Sequence, residues 1–276
     1  MSRNRVIVAV FAGALLVRIL FNVYLAGMDR PGLIAFSDGE EYDAIARSLA
    51  AGTGFAVNQA PNTFRPPGYP FFLAAIYALV GHSYPAVKIV QSVIGALTCV
   101  FVLLIGERLF SYRVGVIAAS IAALYPFLVV YTGFLLSETL FVFLSSIFLY
   151  ALVRLREACR ARWAAFAGFM LGLMTVTRPM TLLLPALLLV WAWIEFGDRR
   201  RAAAIVGVMV VMMLVPIAPW TVRNYVVTNS FIPISSHLWA GLYPGNNPVI
   251  LRDPEAIGGP FSLKGWRIIV PRICRL

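Results

Sequence analysis

The fold is decided by a short basic stretch, Arg154-Leu155-Arg156-Glu157-Ala158-Cys159-Arg160-Ala161-Arg162, which lies between two apolar runs, 138–154 and 163–177. Two further groups of arginines separate other apolar runs in the same way. These groups are Arg108 with Arg113, and Arg199 with Arg200 and Arg201. Short arginine-rich loops between long apolar runs are typical of the cytoplasmic side of a protein that crosses a membrane several times.

The composition supports the same fold class. Hydrophobic residues make up 61% of the 276-residue chain and the mean hydropathy is +0.84, values that exclude an ordinary soluble domain. A membrane-spanning helix needs ~17–25 apolar residues, and we predict an all-α integral membrane protein with about seven such helices. Their approximate ranges are 5–26, 86–106, 114–132, 138–154, 163–177, 181–196 and 202–222. Gly168-x-x-x-Gly172, within the fifth range, has the spacing of a helix-packing contact.

The net charge of +11 does not indicate nucleic-acid binding, because the arginines are grouped in loops and form no basic face with interleaved aromatic residues. The cysteines (Cys99, Cys159 and Cys274) and histidines (His82 and His237) are scattered and lack the spacing of a zinc site. We therefore predict no zinc, no native disulfide and no nucleic-acid partner.

The arginine groups also determine the predicted topology. Arg3 and Arg5 assign the N-terminus to the cytoplasm, and the first helix is then a retained anchor that leads into an outer loop, 27–85. If 67–81 crossed the membrane, the arginine loops after it would face outward, against the charge rule. This run is also only ~15 residues long, which is short for a span. We therefore predict an interfacial or re-entrant helix at 67–81 that makes no net crossing.

The outer loop concentrates the acidic residues. Of the 12 acidic residues in the chain, five lie between positions 29 and 43. They are Asp29, Asp38, Glu40, Glu41 and Asp43. Ser37 and Glu40 have the spacing of a helix capping box, and apolar residues follow at helical spacing from Tyr42. We predict an amphipathic helix in the plane of the membrane interface, with Glu40, Glu41 and Asp43 on its solvated face.

Several motifs in this order resemble the GT-C superfamily of membrane glycosyltransferases. An acidic residue shortly before Tyr42 follows the first helix, and Arg65-Pro66-Pro67-Gly68-Tyr69-Pro70 comes next. Within this superfamily, the motifs resemble those of bacterial relatives of protein O-mannosyltransferases and lipid A aminoarabinose transferases. Further motifs are Tyr125-Pro126, the run from Tyr131 to Phe141, Thr177-Arg178-Pro179, the run from Trp220 to Tyr225, and Gly245-Asn246-Asn247-Pro248.

The resemblance implies a function and a location. It implies transfer of a sugar from a polyprenyl-phosphate donor to a hydroxyl on a lipid, glycan or protein acceptor, with inversion, at the outer face of a bacterial inner membrane. Residues 1–222 then form the transmembrane module, the N-terminal part of a GT-C fold. Family members continue with further helices and a soluble domain. We expect 223–276 to begin the large periplasmic loop, with an atypical or truncated end.

Two carboxylates are the candidate catalytic residues. Such a transfer needs a base for the acceptor proton, and Asp38 is the candidate because it lies at the predicted interface. Glu138 opens a predicted helix on the outer side, where it is expected to hold the acceptor or, with Asp38, a divalent cation. A metal requirement is left open, and no other cofactor is predicted. The alternative for both residues is a favourable negative charge at a helix N-terminus.

Four polar residues are candidates for binding the donor phosphate. Arg65 lies between Phe64 and a proline pair that fixes the backbone, and a guanidinium binds phosphate in bidentate fashion. Arg178, Arg223 and Asn224 lie at other predicted outer edges. The alternatives are interfacial snorkelling for Arg65 and a favourable cation at a helix end for Arg223. For Arg18, inside the first helix, we expect a loop carboxylate or the donor phosphate as partner.

Two other functions compete with the transferase. A transporter or flippase would carry polar residues at the membrane midplane in corresponding halves of the chain. The predicted spans are almost free of charge apart from Arg18, and the acidic cluster lies outside, which disfavours transport. An inactive, truncated paralogue is the second alternative, and the short C-terminal region is its main support.

Overall fold

A computed structural model describes residues 2–27 and 37–236, and nearly all of the regular structure in these ranges is helical. The helices are α1 (Arg3–Gly27), α2 (Ser37–Ala50), α3 (Gly68–Val80), α4 (Tyr84–Leu109), α5 (Tyr112–Leu124), α6 (Pro126–Val130), α7 (Glu138–Ala158), α8 (Ala161–Thr177), α9 (Leu184–Phe196) and α10 (Arg199–Thr228). Short 3-10 segments lie at Tyr131–Gly133 and Pro179–Leu183, and a two-stranded antiparallel hairpin pairs β1 (Ala56–Val57) with β2 (Ala60–Pro61).

Polar caps and glycines define the ends of the long helices. The Ser83 hydroxyl accepts a hydrogen bond from the amide of Ala86 at the start of α4, and Asp198 accepts one from the amide of Arg200 at the start of α10. α9 ends at Gly197, whose φ of 69° lies in the left-handed region that glycine adopts without strain. The long apolar runs are therefore divided into separate helices at residues that satisfy the free amides or carbonyls of the helix ends.

Small residues allow the second half of the bundle to pack closely. A Cβ atom built at Gly168 or Gly172 would collide with the backbone of α10 at Met209 or Met213, so α8 approaches α10 along its glycine face. The predicted Gly168-x-x-x-Gly172 contact is therefore present. The largest buried apolar cluster lies around this contact and takes residues from α7, α8, α9 and α10.

Ion pairs show that the helix ends alternate between two ends of the bundle. At one end, Arg3 at the start of α1 is bound to Glu107 near the end of α4 at 2.9 Å, and Arg108 is bound to Glu157 near the end of α7 at 2.6 Å. We call this the arginine end. The other end, reached by the C-terminus of α8 and the N-termini of α4 and α7, is called the site end.

Helix α3 stays at the site end, as its sequence predicts. It has 13 residues and is ~20 Å long, less than the ~30 Å apolar core of a bilayer. Its first residue, Gly68, packs against Thr177 at the end of α8, and His82, just after it, contacts Asp43 of α2. Both of its ends thus contact elements of the site end, and the absence of a net membrane crossing stays a prediction.

The apolar face of α2 packs on other parts of the protein. Tyr42 and Ala46 belong to a buried cluster with α3, and Ile45 packs with Phe55 and Trp220. The predicted amphipathic helix and its periodicity are confirmed, and its position in the plane of the membrane interface stays a prediction. The hairpin and α3 cover its apolar face.

Five described segments are long and apolar enough to cross a membrane, and the count is six if the bent pair Tyr112–Leu124 and Pro126–Gly133 forms one span. The five are α1, α4, α7, Pro179–Phe196 and α10. A seventh span would require α8, whose 17 residues are at the lower limit of spanning length. The all-α membrane fold is thus established, and the count of seven stays a prediction.

Some predictions fall outside the described residues. Asp29, His237, Cys274 and the Gly245–Pro248 motif are among them, as are the Ser37 side chain of the predicted capping box and most of the region 223–276.

Candidate active site

Arg65 connects the loop before α3 to two carboxylates on α2. Its Nη2 lies 2.7 Å from Oδ1 of Asp38, and its Nε donates to Glu41. The Arg65 side chain is only 8% exposed, whereas that of Asp38 is 38% exposed. Burial lowers the pKa of Arg65, but the charges and hydrogen bonds of the two carboxylates outweigh it and leave this pKa raised, so the guanidinium stays charged. The prediction that Glu41 is merely solvated is wrong.

A second carboxylate and arginine pair lies between the start of α7 and the end of α8. Nη2 of Arg178 is 2.5 Å from Oε1 of Glu138, and its Nε donates to Oγ of Ser137 at 3.1 Å. The Arg178 side chain is 34% exposed, and that of Glu138 is 24% exposed. Arg178 is therefore much more accessible to a ligand than Arg65.

Tyr42 brings the two pairs into one site. Its ring lies beneath the Arg65 guanidinium, with 5.4 Å between the guanidinium carbon and the ring centroid. Burial raises the pKa of the Tyr42 phenol, and the nearby charges of Arg65, Asp38 and Arg178 also act on it. The phenol thus stays protonated and lies within electrostatic reach of both pairs.

The close approach of Gly68 to Thr177 brings the two predicted motifs together. A Cβ atom at Gly68 would lie 2.8 Å from Cα and 2.9 Å from the amide nitrogen of Thr177. Only glycine fits there, so the loop that carries Arg65 can rest on the segment that carries Arg178. The sequence places these motifs more than a hundred residues apart, and this contact joins them.

Asp43 is a buried centre of hydrogen bonds rather than the solvated residue that the sequence predicts. Its carboxylate accepts from the hydroxyls of Tyr77 at 2.6 Å and Tyr84 at 3.2 Å, and it also contacts His82 and Arg47. Burial, followed by the bond to Asp43, raises the pKa of Tyr77, so Tyr77 remains a donor. This cluster fixes α2 to α3 and to the start of α4.

Arg223 and Asn224 hold backbone segments at the site end. Arg223 donates to the carbonyls of Asn62 at 2.7 Å and Phe55 at 2.9 Å, on either side of the hairpin. Asn224 is fully buried and donates to the carbonyls of Ile232 and Ile234, each at 3.1 Å. The structure brings Asp38, Glu138, Arg65 and Arg178 together around Tyr42. It joins Arg223 and Asn224 to backbone carbonyls instead.

A pocket of about 450 Å³ opens beside α2 at the same end. Its polar lining includes Glu40, Glu41, Arg47, Asn58 and Tyr84. Within the described ranges, no group of three or more His, Cys, Asp or Glu side chains could hold a metal ion. Asp38 and Glu138 each face an arginine, so a divalent cation held by these two carboxylates stays a prediction.

Arg18 has other partners than those predicted. Its Nη1 donates to the carbonyls of Ala14 at 2.9 Å and Ala123 at 3.3 Å, and its Nη2 lies 3.6 Å from the sulfur of Cys99. The side chain is completely buried. Among the described residues it forms no direct ion pair with a carboxylate.

Sequence reasoning missed the contributions of Glu41, Asp43 and Ser137. The first two are acidic residues on a helix whose polar face looks solvated when α2 is considered alone. Ser137 is a small hydroxyl residue directly before Glu138, and nothing in its neighbours distinguishes it from a helix cap. For Glu41 the sequence does carry a signal, because Asp38 and Glu41 lie one turn apart on α2 and so can face one guanidinium.

The fold and this site define a polytopic membrane protein with a charged, partly buried centre at one end of its helix bundle. The family model of the dolichyl-phosphate-mannose-protein mannosyltransferases matches residues 64–222, more than half of the chain, and the chain therefore belongs to this family. It is a membrane glycosyltransferase of the mannosyltransferase type. The matched range includes Arg65, Glu138 and Arg178. No curated protein and no solved structure matches the chain.

Proposed function

We propose that the chain transfers a sugar from a polyprenyl-phosphate donor to a hydroxyl of a protein, glycan or lipid acceptor, at the outer face of a bacterial inner membrane. The observation that carries the proposal is the meeting of two acid and arginine pairs, Asp38 with Arg65 and Glu138 with Arg178, around Tyr42. The reaction needs one group that accepts a proton and one that stabilises a leaving phosphate, and this site offers both.

Asp38 is the proposed base. Arg65 binds its Oδ1, and Oδ2 accepts no hydrogen bond from the described residues. With 38% of its side chain exposed, Asp38 is open to an acceptor from solvent. Oδ2 takes the proton as the acceptor oxygen forms a bond to the anomeric carbon. The bond from that carbon to the phosphate oxygen breaks, and its electron pair leaves with the polyprenyl phosphate. A single displacement of this kind inverts the anomeric centre.

Arg178 is the proposed principal ligand of the donor phosphate. Its guanidinium is about a third exposed, and among the described residues it is paired with one carboxylate, that of Glu138. Arg65 is buried and already serves Asp38 and Glu41, so its proposed part is to orient the base and to add positive charge to the site. When no phosphate is bound, Glu138 holds Arg178 in its present position. When phosphate takes the place of Glu138 on Arg178, the freed carboxylate can accept a hydrogen bond from the acceptor hydroxyl.

Arg223 and Asn224 remain proposed phosphate ligands of second rank. Direct contact would require Arg223 to exchange its bonds to the carbonyls near the hairpin, and the burial of Asn224 keeps it from solvent. The pocket beside α2 is the proposed acceptor cleft, since its mixture of carboxylate, guanidinium, amide and phenol groups suits a hydroxyl-rich or peptide surface.

The proposal is tested by incorporating the full chain into membranes and supplying a panel of radiolabelled polyprenyl-phosphate sugars. We expect transfer from at least one donor, with Asp38→Asn reducing it by about 10²-fold or more, the range for loss of a general base. Asp198→Asn is the matched control, because Asp198 is exposed at the opposite end of the bundle and asparagine can keep its cap on the amide of Arg200. Equal transfer by Asp38→Asn would reject the assigned base. No transfer from any donor by the unchanged chain would reject the function.

A further inference from the structure

A small, narrow cavity lies between the middle of α1 and the start of α7. Its volume is about 10 Å³, and its lining includes Arg18, Gly95, Thr98, Tyr131, Glu138 and Thr139. A space of this size holds about one water molecule and excludes a phosphate or a sugar. The cavity therefore differs from the proposed substrate site, although Glu138 borders both.

Three of the residues around this cavity carry a buried polar atom with no hydrogen-bond partner. The atoms are Nε of Arg18, Oε2 of Glu138 and Oγ1 of Thr139. The structure has eight such side-chain atoms within its described residues, and three of them belong to this one lining. A buried polar group without a partner is destabilising, so the concentration of three such atoms in one place indicates that they share a partner.

The chemistry of the three atoms matches one water molecule. Arg18 Nε is a donor, Glu138 Oε2 is an acceptor, and a threonine hydroxyl is both. A water can accept from Arg18, donate to Glu138 and exchange a third hydrogen bond with Thr139, which is the usual number of partners for a buried water.

Arg18 also has an electrostatic reason to face Glu138. It lies nine residues, or ~14 Å, before the end of α1, in a span where a charge is expensive. Its direct partners are two carbonyls and a sulfur, none of which is an anion. Glu138 is the carboxylate that borders the same cavity.

We propose that one internal water occupies this cavity and joins Arg18 to Glu138 and Thr139, so that Arg18 is a positioning residue for the glutamate of the site. The water fixes Oε2 of Glu138 while Oε1 holds Arg178. The glutamate then turns a defined face to the phosphate-binding arginine. The positioning role rests on the proposed function, whereas the coupling between Arg18 and Glu138 does not.

The coupling is tested by a double-mutant cycle on the unfolding equilibrium of the purified full chain in detergent. The variants are Arg18→Met, Glu138→Gln and the double substitution. We expect the two effects to be non-additive by about tenfold in the unfolding equilibrium constant. Arg5→Met combined with Glu138→Gln is the control, because Arg5 is exposed on the same helix, and this pair is expected to be additive. A coupling no larger than that of the control would overturn the proposal.

Three further variants keep the test decisive if Arg18→Met does not fold. A Cβ atom at Gly95 would lie 2.7 Å from Nε of Arg18, so Gly95→Ala displaces the guanidinium without removing its charge. Thr139→Val removes the hydroxyl at nearly constant shape, and Thr139→Ser keeps it. We expect Gly95→Ala to be coupled to Thr139→Val by about threefold or more and to be additive with Thr139→Ser. Additivity in both combinations would mean that no water connects these residues.

Transfer activity gives a separate readout of the positioning role. In a chain that transfers sugar, Arg18→Met is expected to lower kcat about tenfold and to leave KM for the donor within about twofold, since the water orients a group without binding substrate. A change in KM alone would contradict positioning. If the unchanged chain transfers no sugar, the proposed function fails, and the unfolding cycle still decides the coupling.

Discussion

The two ends of the bundle use the same chemical pairs in different surroundings. At the arginine end, Arg3 is bound to Glu107 and Arg156 to Glu195, and the two arginine side chains are 49% and 55% exposed. At the site end, Arg65 is 8% exposed and holds two carboxylates. Pairs of the first kind contribute ~0–1 kcal/mol because water competes for both partners. The second kind is partly desolvated, so its charges act strongly on one another and on any ligand.

The difference shows that residue type alone does not mark a site in this chain. At the arginine end, the ion pairs of Arg3, Arg108 and Arg156 each join only two helices. At the site end, α2, the loop before α3, the start of α7 and the end of α8 all contribute charges around Tyr42. A ligand that enters there meets several elements at once, which is the condition for both binding and orientation.

The largest expected difference in transfer activity is between two arginine-to-lysine variants, one at each end of the bundle. Arg178→Lys keeps the charge but loses the planar fork that binds phosphate in bidentate fashion. We expect transfer to fall by about 10²-fold, in the range seen when one group that stabilises developing charge is removed. Arg156→Lys, the matched change at the arginine end, is expected to leave transfer within about twofold. Similar losses in both variants would remove the functional distinction between the two ends.

The second effect concerns the buried carboxylate that supports the site. Asp43→Ala leaves the hydroxyls of Tyr77 and Tyr84 and the Arg47 guanidinium without their acceptor. We expect the free energy of unfolding to fall by about 2–3 kcal/mol, as for donors left without a partner. Denaturant titration of the full chain in detergent measures it. Glu40→Ala, an exposed change on the same helix, should be nearly neutral, and an equal loss in both would show that Asp43 is not a centre of stability.

The membrane fold and its order of helices could be predicted because apolar length and arginine position are local properties of the sequence. The helix at 67–81 could be assigned to one side by the charges of loops far from it. The surroundings of α2 could not be predicted, because its apolar face has the same pattern whether it lies on lipid or on protein. Only the positions of α3 and the hairpin determine which of the two it is.

The residues of the candidate site could be predicted from the sequence, but the ion pairs that they form could not. Asp38, Arg65, Glu138 and Arg178 each stand out in the sequence at a helix end or beside a proline. Their pairing depends on the approach of Gly68 to Thr177, a contact between segments about 110 residues apart that no periodicity in the sequence reveals. Arg223 stands out at a helix end in the same way, yet its donors bind carbonyls near the hairpin.

The third prediction tests the contact between Gly68 and Thr177. Gly68→Ala introduces a Cβ 2.8 Å from the backbone of Thr177, so the loop of Arg65 must move away from the segment of Arg178. Forced overpacking of this kind costs about 1–3 kcal/mol, and we expect a loss near the lower end because the α3 N-terminus can shift. Gly13→Ala is the control, since a Cβ atom there meets nothing within 4 Å. Thermal unfolding in detergent should separate the two variants, and a neutral Gly68→Ala would show that the two loops are not in tight contact.

The smallest effect is expected at the arginine end, where Glu157 is bound to Arg108 at 2.6 Å and lies 3.5 Å from Arg154. Its side chain is 36% exposed, so water replaces the lost partner when Glu157→Gln removes the charge. We expect the free energy of unfolding to change by less than about 1 kcal/mol. Repeating the denaturant titration in high salt should shrink the difference further, because exposed charges are screened within about a Debye length. A loss above about 2 kcal/mol that salt does not reduce would mean that this end also holds a desolvated charge network. The contrast between the two ends would then rest on what each binds rather than on how deeply its charges are buried.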